Sequence, residues 1–227
     1  LMADPRIVEN PHPISEITYE ELREMAYAGA NVLHEGAIFP VRKKNIPLNI
    51  RNTNAPEDPG TMIRKSFDTE ADPSRIITGI AGKKDFSIIT IFKRGLTNQV
   101  GILRRILSIL EKHSVSVEFL PNGMDNVSLA IPTDKLAPHL YAVLADIQQD
   151  IAPDNIVVHD QIAIVTAVGH QMKFRPGVSG KIFAALGQAG INIRMINQGP
   201  DELNIFFGVE NKDYAEAIRV LYNSFIK

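Results

Sequence analysis

The sequence predicts an α+β protein in which a mixed amino-terminal segment precedes two copies of a β-α-β-β-α-β unit, the first copy inserted in the second. Three observations predict it. An internal repeat occupies the second part of the chain: Gly101 placed on Gly177, 76 residues further on, needs no gap as far as Asp125 on Asp201. Within each copy the apolar spacing changes between helical and strand periods in the same order. The composition is that of a globular protein, since 44% hydrophobic and 22% charged residues leave no room for wholesale disorder. Opposite charges nearly cancel, at a net −2, so no field favours nucleic acid or an anionic membrane. The absence of cysteine excludes disulfides, thiolate metal sites and Cys nucleophiles. No apolar run approaches the roughly 18 residues of a membrane span, and Leu1–Arg6 lacks the apolar stretch of a signal peptide. A soluble, cytoplasmic protein is expected.

In the first 66 residues, Thr18 and Glu21 form a capping box ahead of a helix over Tyr19–Tyr27, with Gly29 at its C-terminal end. A second helical segment runs from about Val32 to Lys44. Pro47–Asn52 reads as a strand, Asn54–Thr61 as a loop and Thr61–Ile63 as a short strand. The polar stretch Lys65–Arg75 reads as a linker.

Each copy then opens with a strand, Phe86–Phe92 in one and Gln161–Val168 in the other. A helix follows, with the stripe Ile102, Leu103, Ile106, Leu107 and Leu110 answered by Val178, Ile182, Phe183 and Leu186. Period-two alternation at Val115, Val117 and Phe119, and at Ile191, Ile193 and Met195, predicts the second strand. Val127–Ile131 and Leu203–Phe207 predict the third. The last helix is marked by Leu136, Leu140, Val143, Leu144 and Ile147, matched by Tyr214, Ile218, Leu221, Tyr222 and Phe225. Asn155–His159 closes the first copy. The second lacks a closing strand after its helix, while Arg75–Ala81 stands unused before the first, which is the argument for insertion. This order is the ferredoxin-like split unit, a fold that hosts many functions.

Motifs for common chemistries are weak. Gly82-Lys83-Lys84 and Gly177–Lys181 lack the spacing of a phosphate loop and read as turns and a helix start. Six histidines occur singly, without metal-ligand spacing. Aromatic residues of the repeat fall on apolar stripes, which suits a core and disfavours base stacking. The glycine turns that lead into the first helix of each copy carry more. Leu96–Gly101 and Lys173–Gly177 deliver the chain to a helix N-terminus, where backbone N–H groups and the helix dipole suit a small carboxylate ligand. Their recurrence beside Asn122-Gly123 and Gln198-Gly199 favours ligand loops over plain turns.

The strand, loop, glycine and helix of each copy resemble an ACT domain, a small amino-acid-sensing module. Met195–Gly199 with Glu202–Ile205 resembles the second ACT domain of aspartate kinases. Met2–Arg6, Ile17–Glu21, Gly29–His34, Ile50–Thr53 and Gly60–Ile63 follow, in order, the end of the catalytic domain of that family. The resemblance implies an organisation by residue number. Residues 1–66 would be the C-terminal portion of an α/β amino-acid-kinase catalytic domain, 67–74 a linker, 83–160 the first ACT domain, and 75–82 plus 161–227 the second. It implies ATP with Mg and L-aspartate as substrates of the full enzyme, and 4-phospho-L-aspartate as product, on the way to lysine, threonine and methionine. The Lys-x-Gly-Gly motif of the family is absent, so this chain alone is expected to be catalytically incomplete, with no catalytic residue, metal ligand or bound cofactor of its own. No dehydrogenase domain follows, which favours a monofunctional kinase. Arg6 matches the arginine placed near the nucleotide phosphates, and Asn31-Val32 stands where many members carry a Lys-Val that contacts ATP. For an effector, the resemblance points to Asn98, Gln99, Gly101, Leu103, Glu118, Asn122 and Met124 in the first ACT unit, and to Asn192 and Ile193 in the second. Lysine is the expected effector, with threonine as a second candidate, and the expected partner is a second copy joined through the ACT domains. The alternative is a stand-alone ACT-type amino-acid-binding regulator without kinase activity.

Overall fold

The computed structural model describes residues 1–30, 35–66, 76–173 and 175–226. Asn31 and Val32, and the linker 67–74, lie outside the described residues. The chain divides into two compact units: Lys84–Ala163, here the inserted unit, and Leu1–Lys83 with Ile164–Lys227, here the split unit.

The split unit opens with β1 (Glu16–Thr18), which runs directly into α1 (Tyr19–Tyr27). Thr18 accepts from the Glu21 N–H at 3.1 Å and Glu21 accepts from the Thr18 N–H at 2.9 Å, the reciprocal pair that starts a helix cleanly. Gly29, at φ 108°, ends it. A second helix, α2 (Glu35–Lys43), contains Pro40. The strands β2 (Leu48–Ile50) and β3 (Thr61–Arg64) follow. They form a three-stranded sheet in the order β1-β3-β2, with β1 parallel and β2 antiparallel to β3.

The end of the candidate strand Arg75–Ala81, from Gly79, and the candidate strand Phe86–Phe92 are one described strand, β4 (Gly79–Phe92), in which Asp85 takes φ 66°. The inserted unit continues with α3 (Ile102–Lys112), β5 (Asn126–Pro132), α4 (Thr133–Leu136) and α5 (Leu140–Ile151). Pro138 lies between α4 and α5, so the last stripe of this copy spans two helices. The closing strand is likewise continuous with the opening strand of the second copy, as β6 (Asn155–Val168) with Gln161 at φ 58°. Within the inserted unit the strand order is β6-β4-β5, and β4 pairs antiparallel with β5 from Phe86↔Pro132 to Phe92↔Asn126.

The expected strand Val115–Phe119 is irregular. Its alternation is real, with Val115 and Phe119 buried, but pairing begins only where Glu118 and Phe119 meet Ala130. Alternation reports burial on one face, and here that face is covered before a ladder forms. The core joins Ile89, Ile91, Ile106, Leu110, Leu129 and Ile147. Leu103 and Leu107, expected in that stripe, are 37% and 41% exposed, whereas Ile109 is buried. The buried face is therefore centred on Ile102, Ile106, Ile109 and Leu110.

The split unit resumes with α6 (Val178–Gln188), β7 (Met195–Asn197), β8 (Asn204–Glu210) and α7 (Tyr214–Phe225). Its second strand, expected over Ile191–Met195, starts at Met195, with the Arg194 N–H already bonded to Gly208 O at 2.7 Å. The order is β4-β6-β8-β7. Ile77 is fully buried, and the Thr78 N–H donates to Val168 O at 2.8 Å, so the segment before β4 runs beside the opening strand of the second copy. That is the insertion inferred from the missing closing strand.

Candidate functional site

In the inserted unit, β4 hands the chain to the loop Lys93–Gly101. Gly95 takes φ 66°, Leu96–Asn98 form one 3-10 turn, and Gly101, at φ 77°, is the N-cap of α3. Two left-handed glycines in seven residues fold the loop back toward the turn 121–126. Lys93 N–H donates to Asp125 O at 2.9 Å and Gly95 N–H to the Asp125 carboxylate at 2.7 Å. The Thr97 hydroxyl donates to Met124 O at 3.0 Å. The Arg94 N–H is held by the Asp154 carboxylate at 2.7 Å. The helix start that the loop presents has first-turn N–H groups that helix geometry leaves without an intrahelical acceptor.

These bonds bring the loop residues Asn98, Gln99 and Gly101 together with Asn122 and Met124. Asn122 bridges to Val127, and Met124 is 78% exposed. Leu103 is in the first turn of α3. Glu118 is half-buried on the irregular edge, its N–H bonded to Ala130 O at 3.0 Å. Asn192 and Ile193 belong to the split unit, between α6 and β7. Sequence reasoning missed the two carboxylates that shape the loop, Asp125 and Asp154. The first had a signal, because Asp125 and Asp201 coincide in the repeat. The second had none, being 60 residues from Arg94.

The split unit repeats the design at Gly177, φ 88°, the N-cap of α6, where the Ser179 hydroxyl lies 3.4 Å from Gln198. Its amino-terminal part carries Asp4-Pro5-Arg6. The Arg6 guanidinium grips Asp4 with two parallel bonds of 3.0 and 2.7 Å, and this hydrogen bonding holds the Asp4 carboxyl below the usual carboxylate range. The Arg6 side chain is 88% exposed. A cavity of about 390 Å³ in this unit is lined by Asp4, Pro5, Arg6, Gly29, Ala30 and Tyr214, among others. Its wall is set by the Tyr214 hydroxyl, which donates to Gly82 O at 2.9 Å and whose ionisation is pushed up by burial. Among the described residues no helix is long and apolar enough to cross a membrane, and no group of three His, Asp or Glu could hold a metal ion.

Fold and site together define a class: an amino-acid-kinase segment followed by tandem ACT units. Comparison with known proteins agrees. The amino acid kinase family matches residues 1–52 and the ACT domain matches residues 165–225. Aspartokinase 3 of Bacillus subtilis is 35% identical over 98% of this chain and 48% of its own length. The solved aspartate kinase of Clostridium acetobutylicum superposes with a TM-score of 0.93 at 49% identity, over 99% of this chain and 52% of that one. Aspartokinase III of E. coli, solved in complex with lysine and aspartate, gives a TM-score of 0.80 at 26% identity, over 100% of this chain and 49% of that one. The chain belongs to the aspartate kinase family. It spans about half the length of these relatives.

Proposed function

We propose that the chain is the amino-acid-sensing regulatory region of an aspartate kinase, joined to the closing part of its catalytic domain. The observation that carries this reading is the agreement over 99% of the chain with an aspartate kinase at 49% identity, kinase segment and ACT units together. The whole enzyme would transfer the γ-phosphoryl group of MgATP to the β-carboxylate of L-aspartate, in the cytoplasm. Arg6 would lie near the nucleotide phosphates, where its fork must trade Asp4 for phosphate oxygens. Asn31 and Val32 would contact the nucleotide without the lysine charge.

The effector is proposed to be L-lysine, bound at Asn98, Gln99, Gly101, Leu103, Glu118, Asn122 and Met124. Its carboxylate would meet the first N–H groups of α3 and its ammonium the Glu118 carboxylate. The lysine complex of the E. coli relative supports that choice. Threonine, near Asn192 and Ile193, is the second candidate. Inhibition then follows if the effector binds one arrangement of the enzyme more tightly than the other. Exposed Val100, Leu103, Leu107 and Met124 support pairing of two copies through the first ACT unit. Calorimetric titration of this chain with lysine, threonine and methionine tests the reading. Heat of binding for lysine is expected, abolished by Gly101→Val; no binding of any of the three overturns it.

A further inference from the structure

The repeat makes an unmatched carboxylate visible. At the 76-residue offset Phe92 corresponds to Val168 and Arg94 to His170. In the inserted unit the Asp154 N–H donates to Phe92 O at 2.8 Å, and the Asp154 carboxylate accepts the Arg94 N–H at 2.7 Å. The residue just before the closing strand thus supplies the anion that anchors the start of the ligand loop. In the split unit the Thr78 N–H donates to Val168 O at 2.8 Å, so Thr78 occupies the place of Asp154. Threonine has no carboxylate. The His170 N–H is nevertheless held by one at 2.7 Å, and it comes from Glu21 of α1, in the kinase segment. The Thr78 hydroxyl donates to the same Glu21 oxygen at 2.6 Å.

Glu21 is only 2% exposed. One oxygen, Oε2, accepts from the Thr18 N–H and hydroxyl at 2.9 and 2.7 Å; the other, Oε1, accepts from Thr78 and His170. Four donors fill the four acceptor positions of a carboxylate. We infer that Glu21 is a positioning residue through which the kinase helix α1 and the ligand loop of the second ACT unit move together. The reading of that loop as regulatory rests on the function proposed above, with threonine, placed near Asn192 and Ile193 of this unit, as the effector concerned; the joint itself does not.

Glu21→Gln separates the two duties of this side chain. A glutamine still completes the capping box at this position, so α1 keeps its start. Its amide has one oxygen, and its NH₂ must face a backbone N–H, which cannot accept. With the cap satisfied, the bond to His170 is the one lost. Hydrogen exchange on this chain should show the His170 amide exchanging roughly tenfold to hundredfold faster in Glu21→Gln, with α1 still protected. Adding Thr78→Asp rebuilds locally the anchor that Asp154 provides in the other unit, and should restore protection at His170. In the whole kinase, Glu21→Gln should keep its uninhibited rate and lose inhibition by the effector, and the double variant should stay uninhibited although its loop is anchored again. Unchanged exchange at His170 in Glu21→Gln overturns the joint. Inhibition that survives Glu21→Gln, or returns with Thr78→Asp, reduces Glu21 to local support and overturns the relay. A parent enzyme that threonine does not inhibit overturns the regulatory reading of this loop and the relay with it, while the exchange result still decides the joint.

Discussion

Two carboxylates on neighbouring turns of α1 are held differently. Glu21 meets four donors, whereas Glu24, half-buried, has the Asn204 amide at 2.6 Å as its chief partner. Burial pushes the Glu24 carboxyl above its ordinary value, and the bond from Asn204 only partly offsets this. The sign of the consequence follows by linkage. A carboxyl whose pKa is higher folded than unfolded binds more protons in the folded state, so stability falls as pH rises from the unfolded value through the folded one. Above that window the loss is complete, and below it absent. Glu24→Gln keeps an acceptor for Asn204 and removes the titration. We expect the variant to match the parent in urea unfolding at pH 4 and to be the more stable of the two at pH 7. A variant less stable at pH 7 would show that the ionised Glu24 is worth more to the fold than its desolvation costs.

At the scale of elements, each repeat delivers its loop to a helix through a left-handed glycine, Gly101 before α3 and Gly177 before α6. A Cβ at either would meet no atom within 4 Å, so substitution there costs only backbone strain. Alanine should cost about 1 kcal/mol at each position, and asparagine, which tolerates this conformation, less. Thermal unfolding of the four variants checks it; an alanine variant as stable as the parent would mean that the cap conformation is not held in solution. These helices, their caps and the capping box at Thr18 were legible in the sequence because each signal spans only a few residues. The insertion was legible because one strand was missing and another was spare. The edge strands were over-read: at Val115–Phe119 alternation marks a buried face, not a hydrogen-bonded ladder. The bonds that shape the loops were illegible for a different reason. Asp154 lies 60 residues from Arg94, and Glu21 lies 149 from His170, and no local pattern joins such partners. Of the candidate site, the loop positions could be read along the sequence, whereas the carboxylates that hold the loops could not.

For the molecule as a whole, the division at Lys83/Lys84 and Ala163/Ile164 separates two bodies with their own cores. Ile106 and Ile182 are counterparts in the repeat, both fully buried on the first helix of their copy. Shortening either to valine removes one methylene and should cost about 1 kcal/mol. The same loss moves a small unit further than a large one, because the entropy of unfolding grows with size. The inserted unit runs only from 84 to 163, whereas the split unit includes the kinase segment as well. Scanning calorimetry should therefore resolve separate transitions. Ile106→Val should lower one by roughly 4–8 °C, and Ile182→Val should lower the other by roughly 2–4 °C. Such a division would let one unit change state without unfolding the other. A single transition displaced equally by both variants would mean that the units melt as one, and effector binding would then have to act on the whole chain at once.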